Sequence, residues 1–139
     1  MNVQLAQTDA EKLACFGVLK ELRTHLDEAE FLPQLKRLET QDYQLAYVED
    51  EGRVVAVAGF WLSEAFAYGK YLHIYDLVTS ETARGSGYSK ALMDYLKALA
   101  RAAGCVQLHL DSGVQRFRAH KFYLREGFVI ASHHFQLTL

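Results

Sequence analysis

The sequence predicts a mixed α/β domain: a central mixed, mostly antiparallel sheet of six to seven strands with helices on both faces. Three observations carry this expectation. Asp50-Glu51-Gly52 separates two apolar stretches and is a hairpin signal, which makes the strands around it antiparallel. Between Tyr71 and Asp111 the order is strand, glycine-rich turn, helix, strand, which implies a right-handed crossover between two parallel strands. With 139 residues, 50% of them hydrophobic, the chain is long enough to bury a core of its own and reads as one domain, 1–139.

Each element has a local reason. Val3 to Gln7 alternates apolar and polar residues as a short strand does. Thr8 and Glu11 form a capping box that opens a helix reaching about Leu26, with Leu13, Phe16, Val18, Leu19 and Leu22 on its apolar face. A second helical stretch runs from about Asp27 to Glu39, begun or interrupted by Pro33, the only proline. Tyr43–Glu49 and Arg53–Leu62 are the hairpin strands, and Ser63–Lys70 is expected as a polar and aromatic loop. Tyr71–Thr79 is a strong strand. The next helix, about Gly87 to Ala103, repeats Tyr88, Ala91, Leu92, Tyr95, Leu96 and Leu99 at helical spacing, and Gly104 ends it. Val106–Asp111 is a strand, Arg116–Arg125 a helix stopped by Gly127, and Phe128–Leu139 a final strand or bent pair of strands.

Composition excludes several classes. The longest near-apolar run, Val54–Leu62, is too short to span a bilayer. No basic segment followed by an apolar run stands at the N-terminus, and the only cysteines, Cys15 and Cys105, lie in apolar stretches as free thiols would. A cytoplasmic protein with no membrane partner is expected. The net charge is −2, yet residues 84–125 carry eight Lys and Arg against two acids, an asymmetry that suits an anionic ligand on one face.

That segment opens with Arg84-Gly85-Ser86-Gly87-Tyr88-Ser89-Lys90, placed between an apolar strand and an amphipathic helix. The two glycines let backbone amides approach a ligand, and the helix N-terminus adds further amides and a positive dipole end, which together cradle a phosphate or pyrophosphate. The spacing is not that of a P-loop, and Lys90 stands where a dinucleotide fingerprint needs its third glycine. Arg84–Ser89 instead resembles the Arg/Gln-x-x-Gly-x-Gly/Ala signature of the GNAT N-acetyltransferase family, with Ser89 in place of the usual small Gly or Ala. Ala119-His120-Lys121-Phe122-Tyr123-Leu124-Arg125-Glu126-Gly127-Phe128 resembles that family's closing motif, Ala-x-x-Phe/Leu-Tyr-x-x-x-Gly-Phe.

The resemblance covers about Tyr71 to Phe128 and implies an acyl-CoA N-acyltransferase fold acting with acetyl-CoA as cosubstrate and no metal. It implies transfer of the acetyl group to a primary amine of a small molecule or peptide by direct attack on the thioester. Coenzyme contacts carry over to Leu77, Val78 and Thr79 on the strand, to Arg84, Gly85, Ser86, Gly87, Tyr88, Ser89 and Lys90 in the turn, and to Ala119, Phe122 and Tyr123. Arg116, standing where the family often has Asn, joins them. Tyr123 occupies the place of the general acid that protonates the departing thiolate, a task a neutral phenol can perform. Homodimers are common in the family, which leaves a dimer open.

An alkyl amine is protonated at neutral pH, so a base or a water chain must take its proton. Asp76 is the candidate base or ammonium anchor, because a carboxylate at a nominally inward position, on the face expected for Leu72 and Ile74, must meet a cleft or a partner. His73 and Tyr75 on the opposite face, Glu64, His109 and Asp111 are alternates, as is solvent. His133-His134 cannot share one ion if they alternate along a strand. Two other readings compete: an acyl-CoA-binding sensor without turnover, and an acetyltransferase acting on aminoacyl-tRNA, for which the basic segment is slender support.

Overall fold

The computed structural model describes residues 2–139. The chain divides into two compact units, Met1–His109 and Leu110–Leu139. In the first, strands β1 (Val3–Leu5), β2 (Tyr43–Asp50), β3 (Arg53–Ala65) and β4 (Gly69–Thr79) pair antiparallel in sequence order, and β5 (Gln107–Leu110) follows β4 in the sheet.

The helices before the hairpin are α1 (Asp9–Ala14), α2 (Phe16–Leu22) and α3 (Glu28–Glu39). The expected capping box is present. Thr8 Oγ1 accepts from the Glu11 amide at 3.1 Å, and Glu11 Oε1 accepts from the Thr8 amide at 2.8 Å and the Gln7 amide at 3.1 Å. The expected single helix through Leu26 is two. The chain tightens at Cys15, whose amide donates to Lys12 only three residues back, and Arg23 leaves the helical region to end α2. Pro33 neither starts nor breaks α3. It forfeits one bond in the second turn while Phe31 and Leu35, both buried, hold that turn on the core.

One sheet face is covered by α1–α3 through Cys15, Val18, Leu19, Phe31 and Leu35, packed on Leu45, Tyr47, Val57 and Val78. The alternating residues Ala46, Val48, Ala56, Ala58 and Phe60 are also buried, and α4 (Tyr88–Ala102) supplies Leu92, Met93, Leu96 and Ala100 to the core while packing on β1–β4. Helices therefore lie on both faces, as expected.

Two strand expectations are corrected. Ser63–Lys70 is no loop: β3 continues to Ala65 and β4 begins at Gly69, so the hairpin turns only at residues 66–68, with Gly69 at positive φ. Residues 128–139 form no strand, and the sheet has five strands among the described residues rather than six to seven. Val129, Ile130, Phe135, Leu137 and Leu139 are exposed. Apolar residues supply a face, but a strand also needs a partner edge to satisfy its backbone.

The second unit contains α5 (Phe117–Arg125). His120 Nε2 lies 2.8 Å from the Gly113 carbonyl, and the Phe128 amide donates to the Tyr123 carbonyl at 3.0 Å, which closes the helix after Gly127 at φ +97°. His134 Nδ1, off any strand, lies 3.4 Å from Asp111 Oδ2.

Candidate active site

The end of β4 leads into a single 3-10 turn, Glu81–Ala83, and then into the glycine turn. Gly85 and Gly87 both sit in the left-handed region, at φ +86° and +83°, and Gly87 is the N-cap of α4. No side chain caps that helix end, and a Cβ built on Gly85 would meet nothing within 4 Å. Arg84, Gly85, Ser86 and Gly87 are exposed. The arrangement fits a pyrophosphate: amides at the start of a four-turn helix, an open approach, and Arg84 beside it.

Side chains that follow the turn tie it to its neighbours. Ser89 Oγ lies 2.8 Å from Thr79 Oγ1, joining the first turn of α4 to the last residue of β4. The Tyr88 hydroxyl donates to Asp50 Oδ2 at 2.9 Å, a bond to a carboxylate that raises the phenol above its ordinary range. Lys90 pairs with Asp94 at 2.8 Å. On the strand side, Glu21 of α2 accepts from the Ser80 hydroxyl at 3.1 Å and the Glu81 amide at 2.8 Å.

Ten residues before Gly85, β4 bulges. Ile74 stands opposite Phe60 and Asp76 opposite Gly59, so Tyr75 is an extra residue that β3 does not match. The bulge reverses the alternation. Asp76 therefore shares a face with Gly59 and Val78, toward α1–α3, and not with Leu72 and Ile74 as a regular strand would require. His73, opposite Trp61, lies on that face too, which corrects the expectation that it points the other way.

There the Asp76 carboxylate finds two partners. Oδ1 accepts from Arg23 Nε at 2.7 Å and Oδ2 from the Tyr43 hydroxyl at 2.6 Å, with only 14% of its side chain exposed. Arg23 Nη2 also donates to the Tyr75 carbonyl at 2.7 Å. Burial, followed by the neighbouring Asp76 charge, pushes the Tyr43 phenol far above its ordinary value, so it acts only as a donor. Gly59 makes room: a Cβ there would overlap the Tyr43 hydroxyl and stand 2.8 Å from Asp76 Oδ2.

Beyond Asp76 the sheet is lined with rings. Trp61 lies 6.1 Å from Tyr75 and 6.3 Å from Tyr71, and His73 lies 4.3 Å from Tyr75. His109, on β5, is 4.1 Å from Tyr68. Glu64 is opposite Lys70 on the distal hairpin.

Tyr123, Arg116, Ala119 and Phe122 belong to the second unit. Tyr123 packs edge-on between Phe122 at 5.6 Å and Phe128 at 6.0 Å. Burial raises its phenol, with the Arg116 guanidinium pulling it partly back, so it holds its proton at neutral pH. Arg116, the N-cap of α5, is exposed, while Ala119 and Phe122 are half-buried.

A family model described as the acetyltransferase (GNAT) family matches residues 8–128. The chain belongs to the GNAT acetyltransferase family. As a GNAT protein it is an acyltransferase of the N-acetyltransferase type. It is 36% identical over 123 residues to YhdJ, an uncharacterised N-acetyltransferase of Bacillus subtilis, covering 87% of each chain. Its fold is shared with glucosamine-6-phosphate N-acetyltransferase from Arabidopsis thaliana (TM-score 0.78, 21% identity, 99% of each chain). It is likewise shared with AAC(6')-Iy in complex with a bisubstrate analogue, CoA-S-monomethyl-acetylneamine (TM-score 0.86, 12% identity, 99% of this chain and 97% of that one). No helix among the described residues is long and apolar enough to cross a membrane.

Sequence reasoning missed Arg23, Tyr43, Gly59 and Glu21. A glycine inside the otherwise apolar strand Arg53–Leu62 was the one available signal, since such a glycine marks a close approach. Nothing in the sequence joins Arg23 to residues more than fifty positions away.

Proposed function

We propose that this GNAT protein transfers the acetyl group of acetyl-CoA to a primary amine of a small molecule or peptide by direct attack of the amine on the thioester. The observation that carries the reading is the pair of left-handed glycines opening α4 directly after a bulged strand. Amides at that helix end, with Arg84, would hold the diphosphate, and the backbone of Leu77, Val78 and Thr79 would line the acyl arm. The names of the relatives, which include acceptors such as glucosamine 6-phosphate, support an amine on a small molecule.

The chemistry then divides among the chain's own groups. As the amine nitrogen bonds to the carbonyl carbon, the carbonyl oxygen gains charge that backbone amides at the end of β4 stabilise. The C–S bond breaks, and Tyr123 gives its proton to the departing thiolate. Asp76 anchors the incoming ammonium or accepts its proton directly or through water, having lone pairs beyond those used by Arg23 and Tyr43. The free thiols fit a cytoplasmic setting: burial pushes Cys15 up to about 12 and leaves it unreactive.

Thiol release from acetyl-CoA, measured across a panel of amino sugars, polyamines, arylalkylamines and peptides, tests the proposal. Amine-dependent release with a matching N-acetyl product is expected. Tight acetyl-CoA binding with no transfer in single-turnover assays would overturn it in favour of a sensor.

A further inference from the structure

We propose that Arg23 is a positioning residue for acyl transfer, fixing the bulge of β4 and the Asp76 carboxylate as one rigid unit. The proposal rests on the acetyltransferase reading above.

The bulge poses a physical problem. An extra residue in one strand breaks the local ladder, so the direction of the chain beyond it is no longer set by pairing alone. Here that direction matters, because Leu77, Val78 and Thr79 follow immediately. Arg23 answers it with two donors in a single plane: Nη2 on the Tyr75 carbonyl and Nε on Asp76 Oδ1, both at 2.7 Å. The rigid fork of a guanidinium fixes the angle between these acceptors as well as their distance, which a lysine ammonium cannot do. Tyr43, held over Gly59, fixes the second carboxylate oxygen from the opposite side.

The anchor itself is firm. Arg23 directly follows α2, and its amide donates to the Leu19 carbonyl at 2.8 Å. Two residues before it, Glu21 holds Ser80 and the Glu81 amide. The stretch from Tyr75 to Glu81 is thus gripped at both ends by side chains of one helix segment. Arg23 sits at the bulge and Glu21 at the exit to the glycine turn. Because 43% of the Arg23 side chain is exposed, its ion pair adds little to global stability. Its geometry is spent on orientation.

The test compares wild type with Arg23→Lys and Arg23→Ala by steady-state kinetics, thermal melting and amide hydrogen exchange over residues 75–81. A misplacement of the reacting groups by about 1 Å costs on the order of 10²-fold. Arg23→Ala should therefore lose about that factor in kcat, with Arg23→Lys intermediate, at nearly unchanged KM for acetyl-CoA and nearly unchanged melting temperature. Exchange should quicken at Leu77–Thr79 in both variants. Guanidinium at sub-denaturing concentration should restore part of the Arg23→Ala rate, and sodium chloride at equal ionic strength should not. Wild-type kcat in Arg23→Ala, or wild-type exchange over 75–81, would overturn the proposal. So would parallel loss of activity and stability without rescue. If wild type itself transfers to no amine, the acetyltransferase reading falls, and the exchange measurement still decides whether Arg23 fixes the bulge.

Discussion

The Asp76 bulge and the glycine turn stand at opposite ends of one short stretch of chain, from Tyr75 to Gly87, and they are built on opposite principles. In the turn, the atoms proposed to meet the coenzyme are main-chain amides, presented by two glycines at positive φ and a helix end that no side chain caps. At the bulge the paired atoms are mostly those of side chains, from the residue after α2, from β2 and from β4, meeting over a glycine on β3. A backbone site tolerates substitution wherever the conformation survives. A side-chain site tolerates almost none, because each of its polar atoms is the partner of another.

The same difference decides what could be read in advance. The turn is contiguous, so its strand, glycines and helix stand next to one another in the sequence, and the proposed anion cradle follows from their order. The Tyr123 motif is contiguous as well. The Asp76 network joins residues 23, 43, 59 and 76. A carboxylate within one apolar strand and a glycine within another pointed toward it, and the bulge then reversed the face on which the carboxylate was expected. The hairpin at residues 50–52, the capping box and the helix after the glycine turn were legible because they depend on local turn chemistry and periodicity. The final segment, 128–139, was misread because its apolar residues say nothing about whether a neighbouring edge receives them.

The largest effect is expected from Gly87→Val. A β-branched residue is strained at φ +83°, so the turn must rearrange. Losing two charge-assisted amide bonds, about 2 kcal/mol each, should raise the KM for acetyl-CoA about 10³-fold. Ser86→Ala, which changes only an exposed side chain, should leave it within about twofold, inside the usual range for surface changes. Equal effects from the two substitutions would break the distinction between a backbone site and a side-chain site.

Tyr123→Phe asks the opposite of a single atom. Removing the phenol should lower kcat about 10²-fold while leaving coenzyme affinity nearly intact. Burial holds the phenol proton beyond its usual range, so the variant should retain whatever alkaline limb the wild-type rate shows below the ordinary phenol value of 10.0. A large loss of acetyl-CoA affinity would instead make Tyr123 a binding residue.

Gly59→Ala tests whether the bulge network tolerates displacement. The added methyl collides with the buried Tyr43 hydroxyl, and overpacking of this kind costs about 2 kcal/mol. Pairing with Tyr43→Phe, which removes that hydroxyl, should recover part of the lost stability. Chemical denaturation of the two single variants and the double variant measures the coupling, and strict additivity would show that the two positions do not meet.

The smallest effect lies outside either site, at the capping box, where a side chain chiefly serves the backbone. Glu11 is held down at about 2, from an ordinary 4.5, first by the Thr8 and Gln7 amides and then by the Tyr47 hydroxyl. Its folded-state value is lowered, so the stability it contributes is fully present above about pH 4.5 and is lost as pH falls toward 2. Glu11→Gln keeps an oxygen for the Thr8 amide but carries no charge. The variant should melt slightly below wild type at neutral pH, and the gap should close progressively between pH 4.5 and 2 while kcat at neutral pH stays unchanged. A gap that persists at pH 2 would mean that the amides select the shape of the carboxylate rather than its charge.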